Sequence, residues 1–105
     1  MPRYAFKLRL KADAIREYDV AHRQVWPELL AKIKAAGISK YSIFRRGQDL
    51  FLFMHVADFD RAWDQLARDP VNQRWQQEMA RFFEPVPDQK TGERFAMMEE
   101  VFYLD

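Results

Sequence analysis

The sequence predicts an α+β domain of the ferredoxin-like type, with strands and helical regions in the order β-α-β-β-α-β. Three observations predict it: period-two apolar alternation near the start, an apolar hairpin in the middle, and helix-period stripes in the segments between strands. The 105 residues suit a single domain spanning 1–105, and 49% apolar residues are enough for a core.

Tyr4 to Leu10 places Tyr4, Phe6, Leu8 and Leu10 on one side and Ala5, Lys7 and Arg9 on the other, the pattern of a half-buried strand. Asp13 marks a helix start and Gly37 a helix stop. Pro27, between them, lacks the N–H for a bond to the preceding turn, so the helix breaks and restarts there. Lys40 to Arg45 reads as a second strand and Leu50 to Val56 as a third, joined by the turn Arg46-Gly47-Gln48-Asp49. Asp58 or Asp60 caps the next helix, whose stripe is Phe59, Trp63 and Leu66. Asp69-Pro70 pairs a cap with a proline at the first helical position, and Val71, Trp75, Met79 and Phe82 recur at helical spacing. Glu84 to Arg94 reads as a loop and Met97 to Leu104 as the last strand.

The third strand is apolar on both faces: Leu50, Leu52, Met54 and Val56 against Phe51 and Phe53. Two helices cover only one face of a four-stranded sheet. The second face is therefore expected to pack against its copy in a homodimer, the alternative being a cover formed by the long loop.

Composition removes several function classes. Seventeen basic against sixteen acidic residues give a net charge of +1 and no basic stripe, so no nucleic-acid partner is expected. No apolar run suits a signal peptide or a membrane span, so no membrane partner is expected and the cytoplasm is the expected compartment. The absence of cysteine excludes disulfides, a thiol nucleophile and thiolate-held metals. A phosphate-cradling glycine loop, a zinc-protease motif and a nucleophile elbow are also missing. Two histidines at unsuitable spacing suggest no metal site.

Tyr18, His22 and Trp26 are spaced by four and share one helical face with the apolar side. His22 is then either a buried histidine held by a backbone carbonyl or an acid–base group at a pocket between helix and sheet. His55, near the end of the third strand, falls on the Phe51/Phe53 face and reads as structural. Tyr41 and Tyr103 are candidate polar contacts or core aromatics with satisfied hydroxyls. Trp75 fits the apolar stripe. If its helix lies beside the first, Trp75 and Gln76 form the opposite pocket wall.

Glu17-Tyr18, His22-Arg23-Gln24-Val25-Trp26-Pro27-Glu28-Leu29, Tyr41-Ser42-Ile43, Arg74-Trp75 and the ending Glu99-Glu100-Val101-Phe102-Tyr103-Leu104 resemble, in register from Arg3 to Leu104, the L-rhamnose mutarotase family. The resemblance implies a dimeric α+β barrel that interconverts α and β anomers of L-rhamnose without metal or organic cofactor. It implies that His22 is the proton donor and that Tyr18, Tyr41 and Trp75 contact sugar. The family usually carries a second tryptophan where this chain has Gln76, an amide that can pair with hydroxyls and shift preference toward another 6-deoxy sugar such as L-fucose. Three other readings share the architecture or the residues: a cofactor-free monooxygenase, a haem binder using His22 or His55, and a non-catalytic ligand-binding module.

Overall fold

A computed structural model describes residues 2–105. The elements run β1 (Arg3–Leu10), α1 (Ile15–His22), α2 (Pro27–Ala35), β2 (Ser39–Arg46), β3 (Asp49–His55), α3 (Phe59–Arg68), α4 (Pro70–Met79), a 3₁₀ turn (Ala80–Phe82), β4 (Phe83–Glu84) and β5 (Ala96–Met98). The sheet is antiparallel with order β2-β3-β1-β4, and β5 also pairs with β1. Phe6 opposes Leu52 and Leu8 opposes Leu50 across β1 and β3. These side chains face the helices and are joined by Leu10, Met54, Val56, Leu66 and Leu29 in a core in which Leu10, Leu50 and Met54 are fully buried. Each such side chain contributes about 1.5–3 kcal/mol relative to an exposed one.

The helix signals act largely as their chemistry dictates. Asp58 accepts from the Arg61 amide and caps α3. Asp69 accepts from Val71 and caps α4, with Pro70 at the first helical position. Pro27 opens α2 in the same way. Gly37, at φ 91°, ends α2: its amide bonds to Lys34 and that of Ile38 to Ile33, a pairing that needs a left-handed residue. Asp13 differs from expectation. It lies in the turn closed by the Ala14 amide on the Lys11 carbonyl, and α1 starts behind Ala14 without a side-chain cap.

The end of the chain also differs. Instead of one strand from Met97 to Leu104, β4 and β5 share one edge of β1, opposite Arg9–Leu10 and Ala5–Lys7 respectively. Met98 opposes Ala5, so residue 100 comes level with Arg3, where β1 begins. Arg3 holds Glu100 at 2.5 Å and stacks on the Tyr103 ring at 3.3 Å. Beyond Glu100 no β1 backbone is left to pair with, and Val101, Phe102 and Leu104 stand 91%, 78% and 81% exposed. Among the described residues, no helix is long and apolar enough to cross a membrane.

One irregularity positions the site. Ser39 opposes His55 but Ser42 opposes Phe53, so β2 carries one residue more than β3 over that stretch. Lys40 takes up the extra residue with a left-handed backbone, φ 48°. Ile38, buried in the core, and Tyr41 are three apart and would face opposite sides of a regular strand; the bulge puts both on the helix side.

Candidate active site

A cavity of about 590 Å³ opens between the sheet and the helices. Phe6 and Leu8 of β1, Tyr41 and Ile43 of β2 and Leu52 of β3 form its floor, and Tyr18 and His22 of α1 with Trp63 of α3 and Asn72, Trp75 and Gln76 of α4 form its walls. A lobe of about 330 Å³ shares His22, Tyr41, Ile43, Trp63, Asn72, Trp75 and Gln76 with it. The volume suits a small organic molecule, and apolar walls with a few convergent polar groups are typical of such sites.

His22 closes α1, one helical turn beyond Tyr18. Its Nδ1 lies 2.9 Å from the Tyr18 carbonyl oxygen. A carbonyl only accepts, so Nδ1 carries the proton and donates it, which leaves Nε2 with a free lone pair in the neutral ring. The imidazole stacks on the Tyr18 ring, centroids 4.0 Å apart, and meets the Trp75 indole edge-on at 5.4 Å. Burial pushes the His22 pKa below its ordinary value; the Tyr18 carbonyl and the Asp19 carboxylate oppose that shift. One nitrogen of His22 is thus held by a backbone carbonyl, and the ring also lines a cavity.

Burial raises the Tyr18 and Tyr41 phenols well above the ordinary tyrosine value, and for Tyr41 the nearby Tyr18 oxygen adds to it. Both remain protonated hydroxyls across the physiological range. Asp19 and Arg45 form a two-point ion pair, 2.8 Å from Nε to Oδ1 and 2.6 Å from Nη2 to Oδ2, that ties α1 to β2. Arg45 holds the Asp19 carboxyl below the usual carboxylate range.

All five residues singled out from the sequence, Tyr18, His22, Tyr41, Trp75 and Gln76, reach this cavity. Trp26 does not. At Trp26 the backbone turns extended, φ −55° and ψ 127°, so the spacing of four from His22 no longer measures a helical turn. Its indole packs edge-on behind Trp75 at 5.1 Å and buttresses the wall. His55 sits outside the cavity, with its ring 5.5 Å from Phe53. Tyr103 lies under Arg3 and donates to Asp105.

Sequence reasoning missed Asn72 and the second role of Trp63. Asn72 is the buried polar side chain among the described residues, and its Nδ2 donates to the Leu66 carbonyl at 2.9 Å. Trp63 Nε1 is the buried side-chain polar atom, among those described, that lacks a hydrogen-bond partner. An unmet buried donor costs about 1–3 kcal/mol. In the sequence Trp63 reads only as a stripe residue, and nothing there signals that its N–H goes unpaired. Among the described residues, no group of three or more His, Asp or Glu side chains is placed to hold a metal ion.

The family model for L-rhamnose mutarotase matches residues 3–104. The L-rhamnose mutarotase of Opitutus terrae is 39% identical, with all of both chains covered. That of Salmonella newport is 35% identical over 99% of each chain. Among solved structures, the L-rhamnose mutarotase of Formosa agariphila superposes with a TM-score of 0.80 at 33% identity over the whole of both chains. The tetracenomycin F2 cyclase of Streptomyces glaucescens superposes with a TM-score of 0.71 at 15% identity, covering all of this chain and 98% of the cyclase, and shares the fold alone. Two solved structures thus show the α+β barrel architecture that the strand order predicts, and the full-length match shows that the chain belongs to the L-rhamnose mutarotase family.

Proposed function

We propose that the chain is an isomerase that interconverts the α and β anomers of L-rhamnose, with His22 as the proton-transfer group. One observation carries the assignment of His22: Nδ1 is committed to the Tyr18 carbonyl, so Nε2 is the basic atom of a ring that lines the cavity.

Mutarotation needs a proton moved from the anomeric hydroxyl O1 to the ring oxygen O5, followed by rotation of the open-chain aldehyde and the reverse transfer. O1 and O5 are bonded to the same carbon, so one nitrogen can serve both. Neutral His22 Nε2 takes the O1 proton, the C1–O5 bond breaks as C1=O1 forms, and the imidazolium returns the proton to O5. After rotation about C1–C2, the steps run backward and close the other anomer. The lowered pKa keeps the starting base neutral at pH 7. Tyr18 and Tyr41, whose pKa values are raised, are poor proton donors but sound hydrogen-bond partners, and orient sugar hydroxyls. Trp75 covers the apolar C–H face or the C6 methyl group. Gln76 supplies amide contacts at the cavity edge. The mechanism calls on no metal or organic cofactor.

The proposed assembly is a homodimer in the cytoplasm. Phe51 and Phe53 are partly exposed on the face away from the helices, Phe44 is 62% exposed and opposes Phe51, and Ala5 opposes Phe53. This apolar strip, with the exposed C-terminal Val101, Phe102 and Leu104, supports burial against a second copy.

Saturation-transfer NMR on equilibrated L-rhamnose tests the activity. Wild type accelerates exchange between the anomeric signals and His22→Asn does not; full activity in the variant removes His22 from the mechanism. L-fucose in the same assay measures how far Gln76 alters the preference.

A further inference from the structure

The cavity wall built by α3 and α4 carries polar groups that proton transfer does not use. Trp63 Nε1–H is buried without an acceptor, and the Trp63 ring packs against those of Phe6, Phe59 and Phe95. Asn72 spends its Nδ2 on the Leu66 carbonyl, which settles the amide's orientation and turns Oδ1 toward Gln76. Gln76 Nε2 donates to that oxygen at 3.4 Å. With Nε2 directed at Asn72, Oε1 of Gln76 is the free acceptor. One donor without an acceptor and one oriented acceptor therefore come from neighbouring helices, and Trp63, Asn72 and Gln76 all line both lobes of the cavity.

A hydroxyl group both donates and accepts. We propose that Trp63 and Gln76, with Asn72 as the positioning residue, form a subsite that reads a sugar hydroxyl other than the anomeric one. The subsite rests on the mutarotase reading and adds to it the polar wall opposite His22's helix. The Trp63 side chain lines the cavity while its Nε1 is covered in the empty site, so pairing requires the bound sugar to shift that cover. Trp63 then has its acceptor only in the complex, and a sugar lacking the matching hydroxyl leaves the donor unpaired.

The test uses nitrogen-15-labelled full-length protein titrated with L-rhamnose, following the indole N–H resonances of Trp26, Trp63 and Trp75, with Trp63→Phe as the assignment. The Trp63 proton is expected to move downfield as its hydrogen bond forms, a readout that requires no folded variant other than for assignment. In the exchange assay, Trp63→Phe raises KM about 5–10-fold and affects kcat less, the scale of one hydrogen bond. Asn72→Ala raises KM in the wild-type background but adds nothing once Gln76→Leu is present, a non-additivity that a purely structural link between α3 and α4 does not produce. If exchange is catalysed and the Trp75 signal responds while Trp63 stays still and Asn72→Ala and Gln76→Leu are additive, the subsite is overturned and the mutarotase reading stands. If L-rhamnose moves no indole signal and exchange is not accelerated, the mutarotase reading falls and the subsite with it.

Discussion

The two histidines lie on opposite sides of one sheet, and their surroundings show what would suit a histidine to proton transfer. His22 stands at a helix end on the covered face, with one nitrogen fixed by a carbonyl and the ring stacked between Tyr18 and Trp75 at a cavity. His55 ends β3 on the open face against Phe53. Both imidazoles are shifted toward the neutral form by desolvation, and for His55 the cations Lys40 and Arg3 add to it. A lowered pKa is therefore common to the pair. What separates them is a fixed tautomer and a ligand-sized space, which only the inner face supplies.

The sharpest way to break this contrast is to exchange the fates of the two residues. His22→Asn is expected to lower kcat by about 10²–10⁴-fold, the worth of a positioned acid–base group, and His55→Asn by less than about 2-fold. Equal losses in the anomer-exchange assay would erase the distinction between the faces. Deleting Lys40 attacks the inner face through the backbone. Without the extra residue, Ile38 and Tyr41 cannot both face the helices, and turning Tyr41 to the outer face is expected to cost at least about 10-fold in kcat/KM. Circular dichroism on the same sample separates this from unfolding.

The outer face answers to a different measurement. Phe53→Asp places a charge in the apolar strip and is expected to shift the mass found by light scattering from dimer to monomer; an unchanged mass would place the interface elsewhere. A pH profile then sharpens the inner site. Because burial disfavours the imidazolium, the neutral base persists as pH falls, and the acid limb of kcat/KM is expected to lie below the ordinary histidine value of about 6.5. A limb above that value would contradict a desolvated His22. The smallest effect is expected from Arg45→Ala. This removes a partly exposed, solvent-screened ion pair and lowers Tm by at most a few degrees in a thermal melt.

Much of this organisation was legible in the residues. Alternation in Tyr4 to Leu10, the apolar run over 50–56, the Pro27 break and the Asp69-Pro70 start each rest on local rules, and the structure follows them. The final strand was misread because its apolar pattern continues past the point where β1 ends, and pairing length belongs to the partner strand. Trp26 was misplaced because spacing by four holds only within an unbroken helix, and Trp26 is where the helix is broken. Asn72 was passed over because a polar residue between Val71 and Gln73 looks solvated until the α3 end carbonyl that it caps is known.

By itself the sequence determined the order of the elements up to α4 and the apolar inner face, since these follow from period and capping chemistry, while its family motif pointed to the residues that line the cavity. Only the tertiary structure decided which His22 nitrogen is free, that Trp26 stands behind Trp75, that Lys40 buckles β2 to aim Tyr41, and that Trp63 lacks an acceptor. Each depends on the distance and direction between groups on different elements or across a broken helix. Local patterning fixes neither, because packing sets them only when the whole sheet closes against the helices.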